Sequence, residues 1–329
     1  MKKLFRNSAI ILLVLVLAIA GVLSYIKFAL PDVGQASDLK ILASPEMVQR
    51  GEYLANHVTV CIDCHSERDG NLFSGPIVPG SKGKGGEVFD QQFGFPGRFT
   101  AKNITPYGIG KWTDGEIYRA ITCGVSKDGH AFFPVMPYQN YRKLDEEDVK
   151  SIISYLRTLE PIENKPEESV ADFPMNFILN TIPQKASPEK RPAETDILAY
   201  GKYMTNAAGC IVCHSKADKG EMIAGMEYAG GFEFPLPGYG IVSSANITPD
   251  KDTGIGNWSK ETFVNRFKAY SDSTYKAPKV QKGDFQTVMP WTMYAGMKTK
   301  DLEAIYTYLM TLKPVNHTVE KFRSETAMK

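Results

Sequence analysis

The pentapeptide Cys-x-x-Cys-His occurs twice in this chain, as Cys61-Ile62-Asp63-Cys64-His65 and as Cys210-Ile211-Val212-Cys213-His214. Two thiols at this spacing can add to the two vinyl groups of one porphyrin, and the histidine that follows is then held beneath the iron. The spacing therefore predicts two covalently bound haem c groups, one on Cys61 and Cys64 and one on Cys210 and Cys213, with His65 and His214 as iron ligands. Zinc is the competing chemistry for paired cysteines, but a closed tetrahedral site needs a second pair of Cys or His. Between His65 and Cys210 the candidates are Cys123 and His130, which are not paired. A redox dithiol would not need a histidine after the second cysteine in both copies. Cys123 is left over in the helix-like stretch from Tyr118 and is expected to be a buried structural thiol.

The sixth iron ligand separates electron carriers from enzymes and gas binders. Met136 is the only methionine between His65 and the inter-repeat linker. Pro137 follows it, fixing the local chain and donating no backbone hydrogen bond. The second repeat has several methionines, and alignment of the repeats selects Met289, because Val135-Met136-Pro137-Tyr138 recurs as Val288-Met289-Pro290-Trp291. Met136 and Met289 are thus the expected axial thioethers. The rival histidines, His57, His130 and His317, have no counterpart in the other repeat, and His130 is the main alternative to Met136. Soft thioether ligation raises the haem potential relative to bis-histidine ligation, and six-coordinate iron keeps no vacant place for peroxide or oxygen.

The elements that must position these groups are legible as a duplication. Gly51-Glu52-Tyr53-Leu54 precedes the first pentapeptide and Gly201-Lys202-Tyr203-Met204 the second. Asn103-Ile104-Thr105-Pro106 with Gly108-Ile109-Gly110-Lys111-Trp112 recurs as Asn246-Ile247-Thr248-Pro249 with Gly254-Ile255-Gly256-Asn257-Trp258. Asn103, Trp112, Asn246 and Trp258 are candidates to line a haem edge or bond its propionates, or else to serve as core and turn residues. Val149, Ile152, Leu156 and Leu159, matched by Leu302, Ile305, Leu309 and Leu312, predict a closing amphipathic helix in each copy, ended by Pro161 and Pro314.

The chain of 329 residues has room for about two domains. Its 38 basic and 37 acidic side chains give no reason to expect a nucleic-acid partner. The expected organisation is a membrane anchor over 1–30, a stalk over 31–44, a first domain over 45–160, a proline-rich tether over 161–192 partly packed through Phe173 to Leu179, a second domain over 193–315 and a loose tail over 316–329. Residues 7–26 carry no charge and follow Lys2, Lys3 and Arg6, which suits a single span with the N-terminus cytoplasmic. Ala18-Ile19-Ala20 resembles a signal-peptide cleavage site, but the apolar run continues past it and favours an uncleaved anchor. An insertion from Tyr270 to Phe285 has no equivalent in the first repeat and reads as a docking loop or a solvated excursion.

Taken together, Gly-x-Tyr before Cys-x-x-Cys-His, Asn-Ile-Thr-Pro, Gly-Ile-Gly-x-Trp and Met-Pro-aromatic resemble the cytochrome c subunits of bacterial membrane-bound alcohol, aldehyde and sugar-acid dehydrogenases. The resemblance covers residues 45–160 and 195–314. It implies an all-α fold of tandem class I cytochrome c-like domains behind an N-terminal transmembrane helix, with His65 and Met136, and His214 and Met289, as axial pairs. It also implies a single-pass protein of a bacterial inner membrane, with its haem domains in the periplasm. Subunits of this kind usually carry three haems, whereas this chain has two motifs. The expected function is single-electron relay, without substrate turnover, between a dehydrogenase or respiratory complex and an oxidase or soluble cytochrome. A dihaem peroxidase is the alternative, and it needs a haem that opens a coordination site beside distal acid and base groups. Two Met-Pro segments and the scarcity of histidine argue against it.

Overall fold

The computed structural model describes residues 2–272 and 274–324. Met1 of the expected anchor, Ser273 of the insertion and residues 325–329 of the expected tail lie outside the described residues. The chain begins with helix α1 (Lys2–Phe28), whose apolar length would cross a bilayer and none of whose residues is buried in the protein.

The first repeat contains α2 (Pro45–Tyr53), which runs into a wider turn over Leu54–Val58, then α3 (Cys61–Cys64), strands β1 (Val88–Phe89) and β2 (Gly97–Thr100), α4 (Pro106–Ile109), α5 (Asp114–Cys123), α6 (Tyr138–Tyr141) and α7 (Glu146–Leu156). The intervening linker supplies β3 (Val170–Ala171) and α8 (Met175–Ile178). The second repeat contains α9 (Ile197–Ala207), α10 (Cys210–Cys213), β4 (Ala217–Asp218), β5 (Glu221–Met222), β6 (Glu233–Leu236), β7 (Gly240–Ser243), α11 (Lys260–Lys268), α12 (Trp291–Tyr294) and α13 (Thr299–Leu309), with β8 (Phe322–Ser324) at its end.

Local sequence explains the helix ends. Ser44 caps α2 through the Met47 N–H with Pro45 in the first turn, and Thr113 and Glu116 form a reciprocal capping box on α5. In each repeat the first and last helices cross at a glycine. A Cβ on Gly51 would lie 1.8 Å from the Ser151 carbonyl oxygen of α7, and one on Gly201 would lie 2.1 Å from that of Ala304 in α13. These glycines are therefore required by the backbone contact itself. The buried side chains of both repeats, from Leu54 and Ile152 to Met204 and Leu302, join in one apolar core.

The all-α expectation is overturned by three small antiparallel sheets among the described residues, ordered β1-β2-β3, β4-β5 and β6-β7-β8. The reason lies in segments between the haem motif and the Asn-x-Thr-Pro turn, where period-two stretches such as Gly97-Arg98-Phe99-Thr100 and Gly240-Ile241-Val242-Ser243 alternate or bury residues as strands do. Phe89 pairs with Phe99, and Val242 pairs with Phe234 on one side and Phe322 on the other.

The connecting segments are held more firmly than their composition suggests. The expected stalk packs along α5, with the Ile41 N–H donating to Asp114 (2.9 Å) and Gly115 seated against the Ser37 carbonyl. The linker wraps the first repeat: β3 pairs with β2, Arg98 pairs with Glu167, and the Ser187 N–H donates to the Arg142 carbonyl (2.9 Å). The tail expected to be loose forms β8 through Ser324. The insertion clamps onto the first repeat, where the Phe73 N–H donates to the Pro278 carbonyl (2.8 Å) and the Val280 N–H to that of Asn71 (2.9 Å).

The two repeats meet through reciprocal contacts between equivalent positions. The Tyr53 hydroxyl donates to Asp301 and accepts the Lys298 N–H (3.0 Å). Its counterpart Tyr203 donates to Asp148 (2.8 Å) and accepts the Asp145 N–H (3.1 Å). Asp148 and Asp301 are almost fully buried, at 1% and 0% exposure. Each tyrosine thus reaches across to an aspartate that follows the other cysteine motif.

Candidate haem sites

A cavity of about 1910 Å³ runs between the repeats and is lined by both cysteine motifs, by His65 and His214, and by Met136 and Met289. Ligand pockets ordinarily measure about 300–1,000 Å³, so this cavity is larger than the usual site for one small ligand. The eight residues expected from sequence to attach and ligate haem thus open on one space. In each motif the cysteines occupy the ends of a single helical turn, α3 or α10, which places thiols three apart on one face. Residue 60 or 209, just before that turn, is left-handed in both repeats, and the β-branched Val60 (φ 45°) tolerates there what Gly209 (φ 65°) adopts freely.

Both histidine rings are held the same way. Nδ1 of His65 lies 2.7 Å from the Lys102 carbonyl oxygen, and Nδ1 of His214 lies 2.8 Å from that of Ala245. A carbonyl can only accept, so Nδ1 carries the proton and Nε2 keeps its lone pair. Burial lowers the pKa of both rings and so favours the neutral form that binds a metal, against the opposing pull of the carbonyl bond. Burial pushes the Cys64 and Cys210 thiols up to about 12, the opposite of the depressed values that make a redox dithiol reactive.

Two glycines that the motif reading passed over bond the histidine backbone and pack against the carbonyls that hold the rings. Gly85 donates its N–H to the His65 carbonyl (2.8 Å) and Gly230 to that of His214 (2.7 Å). A Cβ at either would sit 2.5 Å from the Lys102 carbonyl carbon or 2.4 Å from that of Ala245. The recurring pairs Gly85-Gly86 and Gly230-Gly231 were the available signal. Tyr141 and Tyr294, each five residues beyond its methionine, donate to the carbonyls of Thr59 (2.7 Å) and Ala208 (2.6 Å), two residues before the cysteines. They tie each Met-Pro segment to its own haem motif.

Asn103 and Asn246 hold the turn. Their Oδ1 atoms accept from the backbone and hydroxyl of Thr105 and Thr248, and their amides donate to Ile162 and Asn164, and to Val315 and Thr253. Each amide is engaged by the chain and stands next to the carbonyl that orients a histidine. Trp112 and Trp258 line the cavity. His57 and His317 each place Nδ1 against a backbone carbonyl, of Met293 and Ala229, and His130 lies exposed at the cavity's edge. Ser74 of the first repeat donates to the Met289 carbonyl (2.6 Å), so the second thioether segment is braced from the other repeat.

The electrostatics of the first site centre on Asp63. Burial raises its pKa to about 6, against the lowering influence of Arg68 at 3.4 Å, which also pairs with Glu87 at 2.6 Å. Arg68 lines the cavity, and its buried Nε finds no partner among the described residues. An acidic porphyrin substituent would satisfy that donor. The free thiols, oriented imidazoles, thioethers and unpartnered donor fit haem c.

No protein-family profile matches the chain. Individual proteins do. It is 25% identical over 293 residues to the cytochrome c subunit of a quinone alcohol dehydrogenase of Gluconacetobacter polyoxogenes, covering 83% of this chain and 57% of that subunit. It is 26% identical over 321 residues to the gluconate 2-dehydrogenase cytochrome c subunit of Pantoea cypripedii, covering 92% of this chain and 66% of the relative. A diheme cytochrome c-type protein of Cereibacter sphaeroides is 28% identical over 207 residues, 58% of this chain and 64% of that protein. The resemblance read from the repeated motifs is therefore borne out: the chain is similar to cytochrome c proteins over most of its length. It spans about 57% of the alcohol dehydrogenase subunit it matches.

Proposed function

We propose that the chain is a dihaem c-type cytochrome, held in a bacterial inner membrane by α1, that relays single electrons from a dehydrogenase partner toward an oxidase or soluble cytochrome and turns over no substrate itself. The observation that carries this reading is the one cavity onto which both Cys-x-x-Cys-His turns and both Met-Pro segments open. Cys61 and Cys64, and Cys210 and Cys213, would hold the two porphyrins, with His65 and Met136 and His214 and Met289 as axial pairs. When bound, haem c supplies an iron that gains and loses one electron with little change in ligation.

The chain's own residues do the rest. The Lys102 and Ala245 carbonyls keep His65 and His214 as Nδ1–H tautomers, which leaves each Nε2 lone pair available and would let it bind iron. Met136 and Met289 would supply thioether sulfur to the iron and so keep water and peroxide from binding it. Trp112 and Trp258 would cover haem edges, while Asn103 and Asn246 fix the turns that carry the orienting carbonyls. The reciprocal Tyr–Asp contacts hold the two sites at a fixed separation, which a relay needs. Lys2, Lys3 and Arg6 ahead of the apolar run support an orientation with the N-terminus in the cytoplasm and the two domains, over 45–160 and 193–315, in the periplasm.

The test is haem stoichiometry and a redox titration of the purified full chain, followed by visible and electron paramagnetic resonance spectroscopy. Two low-spin haems are expected, with Met136→Ala and Met289→Ala each converting one to high spin and lowering its potential. One haem per chain, or a titrating haem that stays low-spin in both variants, overturns the assignment.

A further inference from the structure

We propose that the linker around Phe173 to Ile178, together with Phe28, forms a second contact of this chain with the lipid bilayer, dipping apolar side chains into the boundary between headgroups and acyl chains. The inference rests on α1 spanning a membrane. Phe28 and Phe173 are each 81% exposed, Val170 63% and Ile178 44%. Exposed apolar residues scattered singly are ordinary, but a cluster marks an interaction surface.

The occupant follows from where the cluster sits. Helix α8 and the turn at Leu179–Thr181 pack against the end of α1, and the Asn180 amide donates to the Ile26 carbonyl (3.3 Å). The uncharged run from residue 7 to 26 rises ~30 Å as a helix, the thickness of a bilayer's hydrocarbon core. Ile26 is thereby placed at the far boundary, with Lys27 positioned to reach the headgroups. Whatever surrounds Phe28 then surrounds the linker beside it. An aromatic and aliphatic tip is the composition of a segment lying in that layer. Phe173 packs edge-on against Phe177 (6.3 Å between ring centres), and the neighbouring acid Asp172 is tied back to Gln91 (2.8 Å). Lys27, Phe177, Leu179 and Asn180 also line the cavity, so the contact would seat its first-repeat end at the lipid surface.

The test uses the full chain with Cys123→Ala, reconstituted in phosphatidylcholine vesicles, with nitroxide labels at Ile178→Cys, at Val14→Cys within α1, and at Lys260→Cys as an aqueous reference. Relaxation by oxygen and by a water-soluble nickel chelate reports depth. The expected result is an oxygen-to-nickel ratio several-fold higher at 178 than at 260, and higher still at 14. If the label at 178 matches that at 260 while 14 is deep, the anchor stands and the linker contact falls. If 178 is shielded from both reagents, protein rather than lipid covers it and the inference is again overturned. If 14 is itself exposed to nickel, the spanning reading fails and the linker contact fails with it.

Discussion

The two buried carboxylates at the repeat interface occupy equivalent positions but not equivalent surroundings, and this predicts unequal costs for the same substitution. Asp148 accepts from Tyr203 (2.8 Å), takes a two-pronged bond from Arg50 (3.0 and 2.8 Å) and pairs with Arg191. Asp301 accepts from Tyr53 and from Tyr200 (3.0 Å), with no cation bonded to it among the described residues. Tyr53→Phe removes one of two donors to a fully buried carboxylate; the backbone N–H that each tyrosine accepts, from Lys298 or Asp145, is lost alike in both variants and does not distinguish them. A bond to a charged group contributes about 1.5–3 kcal/mol, and the newly unpaired lone pairs add desolvation cost, so the expected loss is about 3 kcal/mol. Tyr203→Phe leaves Asp148 with its two arginines and should cost about 1 kcal/mol. Urea unfolding of the haem-loaded chain gives both values, and the exchange of electrons between the two haems, followed after flash reduction, should slow more in Tyr53→Phe. The reasoning is refuted if Tyr203→Phe costs as much as Tyr53→Phe, or if both stay within about 0.5 kcal/mol, the range of an ordinary surface change.

Alkaline stability should follow the same contacts. Burial, reinforced by the neighbouring carboxylates, raises the Tyr53 and Tyr203 hydroxyls above the usual phenol range. The folded chain then binds protons that the unfolded chain has released. Their contribution is therefore complete below about pH 10 and is lost as pH rises toward the elevated values. Thermal melts from pH 9 upward should fall more steeply for the wild-type chain than for Tyr53→Phe/Tyr203→Phe. Gly85→Ala and Gly230→Ala should each destabilise by more than about 2 kcal/mol, because a Cβ cannot occupy 2.4–2.5 Å from a carbonyl carbon at positive φ. Each should leave its own haem partly high-spin through a misplaced histidine while the other haem stays normal, which spectra of the two variants will separate. Ser74→Ala removes a bond to the Met289 carbonyl across the interface and should cost about 1 kcal/mol. The potential assigned by Met289→Ala should move and that assigned by Met136→Ala should not; equal shifts would sink the idea.

What could be read in the sequence was what two copies had in common and what one covalent chemistry requires. A pentapeptide carries its chemistry within one helical turn, so Cys61 to His65 and Cys210 to His214 could be read as candidate attachment sites without knowing the fold. The closing helices α7 and α13 were equally plain because their burial has a helical period. The sheets were missed because their strands, as at Val88–Phe89 or Ala217–Asp218, are often too short for any period to register. The interface escaped for a different reason. Tyr53 and Tyr203 were seen as a repeated sign of a helix, and their use emerges only when two copies face one another and each tyrosine reaches the other's aspartate. A duplication read along the chain reports what each copy keeps for itself, whereas a contact between copies lies between positions some 250 or 55 residues apart. The insertion makes the same point by its absence from one copy. With no counterpart to align, Tyr270 to Phe285 had no assignable role, yet its bonds to residues 71 and 73, with Gln286 donating to the carbonyls of Gly70 and Leu72, make it a one-sided addition to an otherwise reciprocal interface. It braces the loop that carries Ser74, and through Ser74 the Met289 segment. The two sites, built from matched residues, are thereby set in unequal surroundings, and a difference in potential between them is the expected consequence.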